Sequence, residues 1–446
     1  MTRELLLITA ETAQRIAASG AKWGHLGLAV NVPEEIYHVV SWSVKGHTHS
    51  PATEGWSEHT AGHSFKGGDG NALWYRGTYE LHDRGRHDSV RGQATPISIM
   101  QEQVEGDWLT FKRLLLMITF CERDGRTEWA AWKRSGEDSF WPIDIEIFDH
   151  EADLLAPLGG AWPREALSEK LVTVVGVGSV GGAACEAMAA YGIRRFALVD
   201  EDRLLSRNFA RHRATRRDHG RFKVDSVADL LKERDPLIEV EALRANVAFD
   251  ANTIRPLLAK SDLVACFTDG PESRRVVNHL AFRARRPAVF GCVLDFGSYG
   301  ETLVLRPGWT GCLECNRVSL RESMELELGL EYSEIQERLA PTDGQHFGMT
   351  RAFSHYGVDP GVLGTTAVGG DLHLVGGFSA KAAVAMLLRS AGYREQRLPG
   401  SHALIGLRPP VIADPEPFNR VGRVGEVAWL PTASPRPECR TCGDGT

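Results

Sequence analysis

From Leu171 onward, apolar residues fall into short β-branched runs that alternate with stretches of helical period. The pattern predicts strands near 171–176, 196–200, 238–242, 263–267 and 288–293, and helices near 180–191, 222–234, 250–260 and 271–285. Alternation at this spacing implies an α/β fold, a doubly wound Rossmann-like parallel sheet with helices on both faces. After about Gly300 the run Glu301 to Leu305 opens a set of antiparallel strands. Further on, Gly361 to Thr366 through Gly376-Gly377 reads as a glycine-rich approach to an amphipathic helix, Phe378 to Leu388, with a packing role. Residues 1–150 have another texture, rich in Trp and His, with strand-like runs at Arg113–Cys121 and Thr127–Trp132. A smaller, β-rich α+β domain of unknown role is expected there. Pro157-Leu158-Gly159-Gly160 marks a linker over 151–164, and a second domain is expected over 165–446.

Composition narrows the classes. The 446 residues are 43% hydrophobic and 24% charged, as in an ordinary soluble protein with room for two or three cores. A formal charge of −7 offers no general reason to expect nucleic acid or an anionic membrane surface as partner. Leu5-Leu6-Leu7-Ile8 is followed by the polar, helix-like Thr9 to Arg15, so no signal-type apolar core forms. No apolar run is expected to approach a membrane span, and the cytoplasm is the default compartment. Of the eight cysteines, Cys121, Cys185, Cys266 and Cys292 stand alone in apolar surroundings and read as buried and inert. The other four form two CxxC pairs.

The chemistry begins at Leu171–Gly182, LVTVVGVGSVGG, where a strand, a glycine turn and a helix follow one another. Gly176, Gly178 and Gly181 permit a tight turn and close approach to a phosphate, and the helix N-terminus supplies free N–H donors. The next strand ends in Asp200, about 20 residues on, where an acid can bind ribose hydroxyls. Beyond it stand Asn208-Phe209-Ala210-Arg211 and Lys223, whose guanidinium and ammonium could neutralise a triphosphate; Arg211 also fits a plain basic surface run from Arg207 to Arg217. Thr268-Asp269 closes the fourth strand, where a carboxylate can hold Mg²⁺ or equally cap the helix that begins at Gly270-Pro271. Cys312-Leu313-Glu314-Cys315 and Cys439-Arg440-Thr441-Cys442 together make a four-thiolate zinc site that staples a long excursion back to the body.

In this order these features resemble the ThiF/MoeB adenylyltransferase family, relatives of the ubiquitin-activating enzymes, over about residues 165–446. The resemblance rests on GxGxxG, Asp200, Asn208-x-x-Arg211, Lys223, Thr268-Asp269 with Arg274 and Asn278, and both CxxC pairs. It implies attack by a C-terminal carboxylate on the α-phosphate of ATP, giving an acyl-adenylate and pyrophosphate. It also implies a role for each residue. Gly176, Gly178 and Gly181 would admit the phosphates, and Asp200 would bind the ribose, with Asn208 in the same nucleotide-binding set. Arg211 and Lys223 would stabilise charge, and Asp269 would hold Mg²⁺. The implied partner is a ubiquitin-like or sulfur-carrier protein, or a peptide with a free C-terminus, and the implied assembly a homodimer. Two departures stand out. Asn316 to Glu438 holds no cysteine, so no crossover thioester is expected; and Arg164 is the sole nearby candidate for the arginine that relatives extend to a partner's ATP.

Two other classes remain open. GxGxxG with Asp200 also suits an NAD-dependent oxidoreductase, although no hydride-transfer His or Tyr stands out. A non-catalytic nucleotide-binding scaffold is the third. In the front domain, His47-Thr48-His49-Ser50-Pro51 resembles the HxHP core of JAMM/MPN metalloproteases, which remove ubiquitin-like tags, but Ser57 begins Ser-Glu-His-Thr instead of SxxD. His47 and His49, with His59 or His63, would form a metal site; surface and turn histidines are the plainer expectation. Asp69 to Trp74 resembles an inactive ubiquitin-conjugating-type domain, with no cysteine for a thioester.

Overall fold

The computed structural model describes residues 4–31, 34–44, 47–49, 72–105, 114–149, 152–153, 155–294, 297–318, 367–394, 396–408 and 418–443. The chain divides into two compact units, Met1–Ala152 and Asp153–Thr446.

The first unit is built on a ten-stranded sheet. Its strands are β1 (Leu5–Thr9), β2 (Trp23–Asn31), β3 (Ile36–Val44), β4 (His47–His49), β5 (Ala72–Gly77), β6 (Thr95–Pro96), β7 (Val104–Glu105), β8 (Leu116–Arg123), β9 (Arg126–Ser135) and β10 (Ser139–Phe148). Among the described residues, three helices accompany them: α1 (Ala10–Ala18), α2 (Tyr79–Val90) and α3 (Ile97–Gln103). β1 pairs in parallel with both β10 and β3, so the sheet path closes on itself. Trp74 and Phe120 are fully buried in one of its cores, Trp132 and Phe140 in the other. His59, His63 and Asp69 to Asn71 lie outside the described residues, as do the side chains of His47 and His49.

The second unit opens with Asp153, which ion-pairs with Arg164 and, at 2.9 Å, with Arg194. The stretch expected as a linker, 151–164, is thus fastened at Asp153 and Arg164. It carries a 3₁₀ turn, Ala156–Ala161, and α4 (Arg164–Ser168). Eight strands follow in the order β13-β12-β11-β14-β15-β16-β17-β18. β11 (Leu171–Val175), β12 (Arg195–Val199), β13 (Glu239–Leu243), β14 (Leu263–Cys266) and β15 (Ala288–Leu294) are parallel. β16 (Tyr299–Leu305), β17 (His402–Gly406) and β18 (Val427–Leu430) continue antiparallel. α5 (Ser179–Ala190), α6 (Lys223–Arg234) and α9 (Gly369–Ser390) supply one core, around Val172, Val174 and Phe196. α7 (Ala251–Lys260) and α8 (Pro271–Arg283) supply the other, around Val175, Val264 and Phe290.

α9 corrects two expectations. It starts at Gly369, so Gly376-Gly377 lie inside the helix and not on an approach to it; Gly361 to Thr366 lie outside the described residues. A Cβ at Gly376 would stand 2.5 Å from the Val180 carbonyl oxygen, so only glycine lets α9 meet α5 this closely. Its 22 residues are also long and apolar enough to cross a membrane, contrary to the expectation of no such run. Its apolarity answers to the core instead, since Val375, Ala380, Val384 and Leu388 are buried.

Candidate functional site

β11 sits between β12 and β14, where the chain's crossovers reverse direction, so the C-terminal ends of these strands frame a crevice. The crevice encloses about 960 Å³, its open mouth included. Gly176, Gly178, Asp200, Asn208, Arg211, Lys223 and Asp269 all line it.

The three glycines do different jobs. Gly176 has φ +86°, and a Cβ there would lie 2.8 Å from the Thr268 backbone nitrogen. Gly178 precedes the first turn of α5, and nothing lies within 4 Å of where its Cβ would be. The free N–H groups of that turn border the crevice through Ser179 and Val180. Gly181 stands back from it; a Cβ there would fall 1.9 Å from the Gly176 carbonyl oxygen, so it closes the helix onto the turn. Gly181→Ala is expected to cost about 1–3 kcal/mol by overpacking, read as a lower midpoint in urea unfolding with an unchanged slope.

Asp200 is a structural keystone as well as a crevice residue. Its carboxylate accepts hydrogen bonds from the Val177 N–H and the Asp202 N–H, both at 2.9 Å, tying the end of β12 to the glycine turn. Burial pushes its carboxyl above the ordinary value, with Lys223 pulling the other way. The Lys223 side chain is only 12% exposed, and its Nζ donates to Asp202 Oδ2 at 2.8 Å. Burial works against its charge, but Asp200, Asp202 and Asp269 outweigh that and hold its pKa above the ordinary lysine value. Asp269 is exposed and makes no side-chain hydrogen bond or ion pair among the described residues. It does not cap α8: Gly270 occupies the cap, without a side-chain bond. Arg274 Nε, donating to the Thr268 carbonyl at 2.7 Å, holds this strand end in place.

Two histidines that no motif announced fasten the arginine-bearing loop. His212 is 6% exposed, and the Ala214 N–H donates to its Nδ1 at 3.0 Å. That leaves the ring proton on Nε2, which donates to the Val177 carbonyl at 2.9 Å, inside the glycine turn. Burial lowers the His212 pKa to about 4, so the ring stays neutral. His373 of α9 bonds the Arg211 carbonyl at 2.8 Å. Asn208 Oδ1 accepts from the Leu205 N–H at 2.8 Å, shaping the same loop from within. The Arg211 guanidinium itself makes no hydrogen bond or ion pair among the described residues. Arg164, by contrast, spends its charge on Asp153 of its own chain.

The four cysteines of the CxxC pairs converge. Cys312 Sγ lies 3.5 Å from Cys439 Sγ, and Cys315 Sγ 3.4 Å from Cys442 Sγ. All four sulfurs fall within 4.8 Å of one another. A zinc–sulfur bond of about 2.3 Å requires tetrahedral edges of about 3.8 Å, so the spacing fits a shared ion and exceeds any disulfide. Buried amides support the two ends. Asn278 Oδ1 accepts from the Leu313 N–H and Asn316 Oδ1 from the Ala433 N–H, both at 2.9 Å.

Next to this cluster lies a buried ionic group that sequence reasoning missed. Glu301 is 1% exposed on β16. It is paired by both Arg317 nitrogens, one at 2.7 Å, and by His402 Nε2 at 2.9 Å; the Cys292 thiol donates to it at 3.3 Å. Cys292 is thus buried but not alone. Burial disfavours the carboxylate, yet Arg317 and His402 prevail and hold the Glu301 pKa well below 4.5. Because the folded pKa is depressed, its stabilisation is full above the unfolded value and is lost as pH falls through the folded one. Glu301→Gln should lower stability by about 3 kcal/mol at neutral pH. In urea titrations that deficit should begin to shrink below pH 4.5 and vanish once the parent's carboxylate is protonated in the folded state.

Parts of this chain are similar to known proteins. Among solved structures, that of Escherichia coli MccB with succinimide matches at a TM-score of 0.44 and 18% identity, covering 63% of this chain and 68% of that one. The "adenylyltransferase and sulfurtransferase uba4" of Aspergillus niger is 30% identical over 180 residues, 40% of this chain and 36% of the relative. The "sulfur carrier protein ThiS adenylyltransferase" of Bacillus subtilis is 26% identical over 166 residues, 36% of this chain and 48% of the relative. The chain thus spans less than half the length of these two curated relatives. The ThiF family model matches residues 150–402, more than half of the chain, and the chain belongs to the ThiF family.

Proposed function

We infer that the second unit is an adenylyltransferase that activates the C-terminal carboxylate of a ubiquitin-like or sulfur-carrier protein, or of a peptide, with ATP. A carboxylate oxygen bonds to the α-phosphorus, the bond from that phosphorus to the bridging oxygen breaks, and pyrophosphate leaves with the electron pair. The observation that carries this is the convergence of Arg211, Lys223 and Asp269 on a crevice bordered by the N-terminus of α5. Ser179 and Val180 border it with backbone donors for phosphate oxygens. Lys223 and Arg211 stabilise charge as it shifts toward pyrophosphate, in a site already arranged for it. The exposed carboxylate of Asp269 suits Mg²⁺, which would neutralise phosphate charge. Asp200 and Asn208 serve the ribose side.

Zn²⁺ held by Cys312, Cys315, Cys439 and Cys442 is structural in this scheme, since four thiolates leave no open position. With no cysteine between Asn316 and Glu438, the acyl-adenylate passes directly to an acceptor. The proposed setting is a cytoplasmic homodimer. An NAD-dependent dehydrogenase would leave Arg211, Lys223 and Asp269 without a task, and a non-catalytic scaffold would not need the Arg211 and Asp269 side chains left without a partner among the described residues.

The test is ATP–pyrophosphate exchange with Mg²⁺ and a panel of small proteins ending in Gly-Gly alongside short peptides. Exchange that requires one acceptor's free C-terminus supports the proposal and identifies the substrate class. No exchange together with tight NAD(H) binding overturns it.

A further inference from the structure

The first unit contains a cluster of donor atoms that the adenylation chemistry does not use. Cys121 on β8 and Glu128 on β9 are register partners across the β8–β9 pairing, and His82 on α2, 39 positions before Cys121, packs its ring against them. Cys121 Sγ is 3.5 Å from His82 Nδ1, and His82 Nδ1 is 3.9 Å from Glu128 Oε2. The three ligand atoms fall within 4.8 Å of one another. Around a tetrahedral ion with bonds of about 2.0–2.3 Å, such atoms stand roughly 3.3–3.6 Å apart, so a small inward movement of Glu128 completes the geometry.

The imidazole is held in the manner of a metal ligand. His82 Nε2 faces Thr119 Oγ1 at 2.9 Å, and the same oxygen accepts the Trp132 Nε1–H at 2.8 Å. A hydroxyl oxygen has two lone pairs, so it can accept from both rings. In that tautomer the Nδ1 lone pair is left pointing at Cys121. A second-shell bond of this kind is what orients ligating histidines elsewhere. His82 and Cys121 are buried, while Glu128 reaches solvent with 30% of its side chain, which gives an ion an entry path. One feature opposes occupancy: Arg86 stands 3.2 Å from Glu128 Oε2.

We propose that His82 Nδ1, Cys121 Sγ and Glu128 form a second metal site, selective for a borderline divalent ion such as Zn²⁺ or Co²⁺, with a fourth position facing solvent. One nitrogen, one sulfur and one oxygen donor match that class and not Mg²⁺ or Ca²⁺. Binding releases the Cys121 thiol proton to solvent.

Co²⁺ alone is the probe, titrated into the full chain after chelator treatment, beside Cys121→Ser and Glu128→Gln variants with folding checked by circular dichroism. The intact chain should bind one equivalent more than Cys121→Ser, and the difference spectrum should carry a thiolate-to-cobalt charge-transfer band. That difference is independent of whatever Cys312, Cys315, Cys439 and Cys442 hold. Glu128→Gln removes a ligand, so it should weaken the extra equivalent by at least the ~10–100-fold that losing an outer-shell partner costs. Arg86→Ala leaves the ligands in place and covers the case in which Cys121→Ser fails to fold; losing the cation beside Glu128, it should bind the extra Co²⁺ several-fold more tightly. Equal uptake by a folded Cys121→Ser, a difference spectrum lacking the thiolate band, or no gain in Arg86→Ala overturns the proposal.

Discussion

Lys223→Ala should reduce ATP–pyrophosphate exchange by about 10²–10³-fold, the range seen when one preorganised electrostatic donor is removed from an active site. The Lys223 side chain is 12% exposed and its ammonium is already held by Asp202, so its position costs no reorganisation when charge develops nearby. Removal also leaves Asp200 buried beside Asp202 without its compensating cation, which should raise the Asp200 pKa further. The loss should appear in the rate of exchange more than in ATP affinity, because the crevice keeps the α5 N-terminus and Arg211. Lys223→Arg keeps the charge but not the compact fit, and should recover only part of the rate. An alanine variant that folds and exchanges at the parental rate would remove Lys223 from the chemistry. Asp269→Asn should show a different signature, a loss that rising Mg²⁺ concentration partly restores.

Stability should depend most on the cysteine cluster. Cys439→Ser, or chelation of the proposed Zn²⁺, should cost several kcal/mol, since structural zinc binding is worth on the order of 10 kcal/mol in small domains and appears as folding free energy. The loss should concentrate where the cluster holds the chain, at the segments around Leu313 and Ala433. Hydrogen exchange should therefore rise there first, with the parallel strands β11, β12 and β14 protected. Thermal unfolding that is identical with and without chelator, in protein shown to contain zinc beforehand, would contradict a structural role.

The parts of the fold that could be read from the chain are those whose signals are local. LVTVVGVGSVGG announces strand, turn and helix within twelve letters because the turn needs glycine where φ is +86° and the helix needs Gly181 against the Gly176 carbonyl. The run of parallel strands was legible because strands buried on both faces are nearly continuous in apolar residues. Both CxxC pairs could be matched because each grips from a single tight turn.

What escaped was non-local or ambiguous in type. Nothing in Glu301-Thr302-Leu303 signals that its carboxylate will meet His402, 101 residues away. His212 looks like one more member of a basic run until the fold brings it beneath Val177. Asp269 was balanced between capping and ligand chemistry, and only the loop geometry separates it from the cap. The start of α9 was misplaced because glycine ordinarily argues against helix, whereas Gly376 is required by the neighbouring backbone.

The paired cysteines stand 127 positions apart in sequence. Joined through one ion, they turn everything between them into a closed ring threaded through β17 and β18. A protease that cuts once inside this ring therefore opens it without releasing a fragment: two bands after denaturation, one species on gel filtration. With the proposed ion bound, the long excursion that carries no cysteine of its own could be nicked or rebuilt while both of its roots stay fastened to the same site.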